Sequence, residues 1–156
     1  MGIKPSMNAT LQTVEPGTTL VIAAGATLQH SGAPSALTFS VAAGSANVSE
    51  ITVTVKDALG FTVPGVLQFD LWLSDAATGA GLTATTASGA VGAKSASGAD
   101  ISTYVAKKSL RVQTLAAGTY VLSITDTAKT GFFVAALAPN GSKAYVAPQL
   151  TTGSYG

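Results

Sequence analysis

Along Gly65–Ser74 the side chains alternate in kind. Leu67, Phe69, Leu71 and Leu73 fall on one parity and Gln68, Asp70 and Ser74 on the other, the period-two signature of a strand with one buried face. The same grammar predicts strands over Glu50–Lys56, Leu82–Thr86, Tyr104–Thr114, Gly118–Thr125, Phe132–Ala138 and Ala144–Leu150. No window of helical length carries an apolar stripe with caps. Turn-forming residues separate the runs at Asp57–Gly60, Asp75–Gly79, Ala116–Gly118, Asp126–Gly131 and Pro139–Ser142. Asn140-Gly141 predicts a type I′ hairpin, because that turn needs positive φ at both central residues. Short strands at this spacing predict an all-β chain, an Ig-like antiparallel β-sandwich across Val48–Leu150.

Parity also names a core. Ile51, Val53 and Val55 share one side of a strand, Leu110 and Val112 a second, and Tyr120, Leu122 and Ile124 a third; with Leu67, Phe69, Leu71 and Leu73 they fill the space between two sheets. Burial of each of those last four contributes roughly 1.5–3 kcal/mol before chain entropy. Gly79–Asp100 is poor in large apolar residues, which predicts one weak strand and a mobile loop around Gly89–Ala99. Trp72 breaks its strand's pattern by sharing parity with Gln68 and Asp70. A tryptophan there is either tucked under a local loop or an interface anchor.

The first 45 residues form a separate arm, ahead of a sandwich domain at 46–156 with its C-terminal tail. Thr18–Ala23 and Ala26–Gln29 are short β pieces joined through Gly25, too small to bury a core of their own. Leu11, Leu20, Ile22 and Leu28 are therefore the candidate contacts with other copies of the chain or with a partner, as in a strand-turn stack that pools apolar faces. Pro34 and Ala42–Asn47 read as the hinge between arm and sandwich.

Composition narrows the function. The 156 residues contain no cysteine, which removes disulfides, thiolate nucleophiles and sulfur-ligated metals. Eight basic and seven acidic residues give a formal charge of +1, without the basic excess of a nucleic-acid binder. Lys107, Lys108 and Arg111 form the one local cluster, expected as a solvated strand face. Mean hydropathy is positive, yet no apolar run approaches the ~18–20 residues that span a bilayer, and Met1–Thr10 lacks the apolar core of a signal peptide. No membrane partner and synthesis in a cytoplasm are the expectations. Charged residues make up only 10% of the chain, which suggests surface covered in an assembly.

Candidate chemistry is sparse. His30 is the single histidine and has no carboxylate placed in sequence to orient it. Gly92–Ser95 and Gly79–Ala84 echo phosphate loops but open no helix. Asp57, Asp70, Asp75, Asp100 and Asp126 lack calcium-loop spacing, and Asp57, Asp75 and Asp126 fall at turns, where aspartate caps backbone. The sequons at Asn8, Asn47 and Asn140 matter only in a eukaryotic secretory route. The expectation is a protein that binds and holds, without enzyme activity, cofactor or metal.

Ile51–Val66, ITVTVKDALGFTVPGV, resembles the opening of bacterial immunoglobulin-like domains. Ser74–Ala90, Ala106–Thr114, Gly118–Ala136 and Leu150–Gly156 are similar to a group of tailed-bacteriophage virion proteins. With the N-terminal stretch Thr19–Leu28, the chain resembles capsid decoration (cement) proteins. The resemblance implies a structural protein of the virion exterior, made in the host bacterial cytoplasm, whose partners are the major capsid protein and its own copies as a homotrimer. It brings no catalytic residues. The alternative is a head-fibre or tail-associated adhesion module that binds host-surface glycans or receptors through Gly79–Asp100.

Overall fold

A computed structural model of the chain describes residues 32–156. Nine strands run through them: β1 (Ala36–Ala43), β2 (Val48–Lys56), β3 (Gln68–Ser74), β4 (Val91–Ala93), β5 (Ala99–Val105), β6 (Ser109–Gln113), β7 (Thr119–Thr125), β8 (Phe133–Leu137) and β9 (Ala144–Val146). A 3-10 turn at Thr152–Ser154 follows, and there is no α-helix among the described residues. The strands form two sheets, in the orders β1-β2-β7-β4 and β5-β6-β3-β8-β9, with every strand pairing antiparallel. The chain is an all-β sandwich. Its sheets repeat the immunoglobulin orders A-B-E-D and C-F-G, with β5 and β6 added beside β3. The departure is one of chain order, since that added pair follows the D-like β4.

Alternation explains the packing. β2 turns Ser49, Ile51, Val53 and Val55 inward, and β7 answers with Tyr120, Leu122 and Ile124, in a register that sets Ile51 opposite Leu122 and Val53 opposite Tyr120. From the other sheet come Phe69, Leu71 and Leu73 of β3 and Leu110 and Val112 of β6, all buried. Phe69 and Tyr120 meet edge to face, their ring centroids 6.2 Å apart. Leu67 is only half-buried against this core, while Leu37, Phe132, Val134, Leu150 and Tyr155 complete it.

Several expectations need correction. Ala42–Asn47 is not a hinge. β1 pairs with β2 along its whole length, from Ala36 opposite Lys56 to Ala43 opposite Ser49, so the sandwich includes residues ahead of position 46. Ala46 and Asn47 both adopt positive φ in the turn between them. At Asn140-Gly141 only the glycine is left-handed, and the bond from Gly141 N–H to Ala138 C=O closes a turn with Pro139 and Asn140 at its centre. Leu82–Thr86 is not a strand. The strand expected over Tyr104–Thr114 is a hairpin, folded at Lys107 with φ +59.

Gly89–Ala99 is also tied down. Gly89 N–H donates to Thr125 C=O at 2.9 Å, Lys94 N–H to Val121 C=O at 2.8 Å, and β4 lies beside β7. This ladder asks nothing of side chains, which is why small residues occupy it.

Candidate interaction surface

The chain enters at Gly32, where a Cβ would stand 2.6 Å from the Asp57 carboxylate, and Ser35 N–H donates to Lys56 C=O at 3.0 Å. At this entry end β2 runs out and the chain turns. Asp57 builds the turn: its Oδ1 accepts the N–H groups of Leu59 and Phe61, each at 2.9 Å. With the backbone held from inside, the side chains point outward, and Leu59 is 70% and Phe61 56% exposed.

The approach to β3 lies against the β6–β7 turn at the same end. Gly65 N–H donates to Ala116 C=O at 2.8 Å, and the Thr114 hydroxyl bridges the two segments, donating to Gly65 C=O at 2.8 Å and accepting Leu67 N–H at 2.9 Å. This union leaves Val66 58% and Leu115 42% exposed. Four large apolar side chains thus stand at the end where residues 1–31 join the sandwich. Monomeric surfaces rarely group such residues, and groups of them mark contact sites.

A second exposed group follows β5, an edge of the five-stranded sheet among the described residues. All seven of its residues are exposed, including Ile101, Tyr104 and Val105. Its register shifts twice against β6, a device that discourages open-ended strand addition. The Tyr104 hydroxyl donates to Asp70 Oδ1 at 3.0 Å, and Arg111 reaches the same oxygen at 3.2 Å.

The contact residues named from sequence, Leu11, Leu20, Ile22 and Leu28, lie outside the described residues, as does His30. Trp72 is half-buried, and its indole N–H donates to Gly79 C=O at 2.8 Å, so the 75–81 loop takes up its polar edge. Lys107 and Lys108 depart from the solvated face expected of them. Lys108 Nζ donates to the carbonyls of Thr83 and Ala84 at 2.7 and 2.9 Å, and Lys107 Nζ to those of Ala87 and Ser88, both at 3.2 Å. The two ammonium groups pin the 83–88 loop.

The aspartates also work locally. Asp75 accepts from the Thr83 hydroxyl at 2.6 Å and from Ala84 N–H at 2.8 Å, bonds that hold its carboxyl below the usual range. Asp126 collects three backbone N–H groups. Asp100 accepts the buried Tyr120 hydroxyl at 2.7 Å and Ala93 N–H at 3.0 Å, joining β4, β5 and β7 across the two sheets. Burial, and then that carboxylate, push the Tyr120 phenol far above its ordinary range. Among the described residues no group of three or more histidines, aspartates and glutamates is placed to hold a metal ion, and no helix is long and apolar enough to cross a membrane.

Sequence reasoning missed the surface at Leu59, Phe61, Val66 and Leu115. The signal was present as large apolar residues set inside turn chemistry, Asp57-Ala-Leu-Gly60-Phe61. No protein-family model, curated protein or solved structure matches the chain.

Proposed function

We propose that this chain is a non-enzymatic structural protein of a bacteriophage virion, seated on the outer capsid surface as a decoration (cement) protein. The observation that supports the reading is the group of Leu59, Val66 and Leu115 at the end where residues 1–31 join a sandwich whose core is otherwise complete. A body with its own core and one apolar end suits attachment to a larger assembly. The arm and this end together would contact the major capsid protein and other copies of the chain. In a homotrimer, three modest contacts act as one multivalent attachment, so affinity needs no deep pocket. Retention on a head under internal pressure calls for binding and no chemistry.

A second reading is a head-fibre or tail-associated module that binds host-surface glycans or receptors. The wholly exposed β5, with Tyr104 beside Asp70 and Arg111, favours it. The pinning of Gly79–Asp100 weighs against the loop-borne binding that this reading first implied. Cryo-EM of purified virions from the virus that encodes the chain separates the two. Sandwich density over the capsid lattice, with the entry end facing inward, is the expected result. Density on fibres or the tail would favour the second reading, and a virion lacking the chain would overturn both.

A further inference from the structure

We propose that Asn140 and Gly141 form a self-modifying site, converted without an enzyme to aspartate or isoaspartate. Asparagine is a thermolabile side chain, and its loss by this route requires the next residue's backbone nitrogen to reach Cγ. The hairpin tip meets that need. Asn140, Gly141 and Ser142 are all exposed, and nothing lies within 4 Å of where a Gly141 Cβ would stand, so no side chain crowds the glycine and water and hydroxide reach the turn.

The carbonyl under attack is already held by two donors. Asn140 Oδ1 accepts the Ser142 hydroxyl at 2.7 Å and Ser142 N–H at 3.0 Å. When the ring closes, this oxygen takes up the negative charge of the tetrahedral intermediate, and donors in place beforehand stabilise it as an oxyanion hole does. One bond must open first, from Gly141 N–H to Ala138 C=O at 2.7 Å. At an exposed hairpin tip such opening costs little compared with global unfolding.

The chemistry balances without a co-reactant beyond water. Gly141 N loses its proton to hydroxide and bonds to Asn140 Cγ; Nδ2 then takes a proton from water, which restores the hydroxide, and the Cγ–Nδ2 bond breaks as ammonia leaves, giving a cyclic imide. Water then opens one or other imide bond, leaving a carboxylate and either a normal or a lengthened backbone. The new charge stands near Lys143, whose Nζ lies 5.1 Å from the Tyr145 ring centroid. Isoaspartate adds a methylene to the backbone of the turn, which removes the Gly141–Ala138 register. Asn47 offers no such site, because β-branched Val48 follows it and opens β2. The turn also sits at the entry end, since Tyr145 reaches Ser35 C=O there at 3.3 Å. The modification therefore writes a charge beside the proposed contact surface, although its chemistry stands independently of that reading.

The full chain, held at mildly alkaline pH and physiological temperature in heavy-oxygen water, tests this by peptide mass mapping. The tryptic peptide covering residues 130–143 contains Asn140 as its sole asparagine. Its conversion should carry one heavy oxygen, include isoaspartate detectable by an isoaspartyl methyltransferase, and run within a few-fold of the rate in denatured chain, while Asn47 stays intact. Ser142→Ala, confirmed folded by circular dichroism, should slow the folded chain several-fold and leave the denatured rate unchanged. Asn140 protected by orders of magnitude in the folded chain would overturn the proposal, and an undiminished rate in Ser142→Ala would overturn the role given to its donors.

Discussion

Replacing Asp126 by asparagine should destabilise the sandwich at neutral pH and cost almost nothing in strong acid. Asp126 is 1% exposed. Its Oδ1 accepts Ser88 N–H at 3.1 Å and Ala128 N–H at 3.4 Å, and its Oδ2 accepts Thr130 N–H at 2.8 Å. Burial pushes this carboxyl upward, but the Thr130 side chain and these three N–H groups outweigh it and hold it at about 2. Against an unfolded value near 3.9, that depression corresponds to ~2–3 kcal/mol of stability. The sign follows from the direction. A group whose folded value is lowered stabilises fully above its unfolded value, and the contribution is lost as pH falls from about 5 toward 2.

A count of hydrogen bonds reaches a similar magnitude. Asparagine keeps an acceptor for Ser88 and Ala128 but turns an amide donor toward Thr130 N–H, leaving a buried donor unsatisfied at ~1–3 kcal/mol. Denaturant unfolding of parent and Asp126→Asn should therefore show a gap of ~2–3 kcal/mol at about pH 7, closing by most of that amount near pH 2. Amide exchange at Ser88 and Thr130 should quicken in the variant at neutral pH. A gap that stayed constant across this range, or one below ~0.5 kcal/mol at neutrality, would refute the reasoning.

Other variants test the same construction. Ser49 is fully buried and its hydroxyl has no hydrogen-bond partner among the described residues, so Ser49→Ala should be neutral or stabilising by up to ~1 kcal/mol in thermal or chemical unfolding. Tyr155 is buried with its hydroxyl donating to Thr130 C=O at 2.7 Å; Tyr155→Ala should cost ~3–5 kcal/mol and Tyr155→Phe ~1 kcal/mol. Lys108→Met keeps the aliphatic stem but removes both bonds to Thr83 and Ala84, and should raise hydrogen exchange over residues 83–88 for a loss of ~1–2 kcal/mol. In a spectroscopic titration of the folded protein, Tyr120 and Tyr155 should remain protonated through the ordinary tyrosine range, and Tyr120→Phe should leave the amplitude of that titration unchanged.

The strands that sequence revealed are those whose periodicity is enforced by burial on one face. β2, β3, β6 and β7 alternate because Ile51, Phe69, Leu110 and Leu122 and their same-parity neighbours must meet between the sheets. Where backbone pairing suffices, the pattern fades. β4 holds its place through ladder bonds to β7 with only Val91, Gly92 and Ala93, and β1 is an edge strand in which Phe39 and Val41 are half-covered. The β5–β6 hairpin was hidden for another reason: it turns at Lys107, a residue that signals no turn. The true left-handed pair, Ala46 and Asn47, likewise lacks the glycine that would have announced it. Apolar residues at the entry end could be read from sequence, but their exposure is a tertiary fact. It depends on Asp57 holding the turn from within and on the docking of the 114–118 segment against Gly65.

The seat of the last residues sets when the protein can fold. Gly156 N–H donates to Val48 C=O at 3.1 Å and its carbonyl accepts Asn47 N–H at 2.7 Å, so the final residue of the sequence closes on one of the first turns of the sandwich. β2 must also wait for β7 as its inner neighbour, and Phe132, Leu150 and Tyr155 enter the core later still. A ribosome working from the N-terminus thus releases the β1–β2 pair long before β7, and β3 long before β6 and β8. Little of the core can consolidate until these last segments have cleared the exit tunnel, and pairing of such distant strands is slow. A chain truncated near residue 130 would keep β1–β7 but lack β8, β9 and the core side chains Phe132, Val134, Leu150 and Tyr155, leaving apolar surface of both sheets open to aggregation or proteolysis.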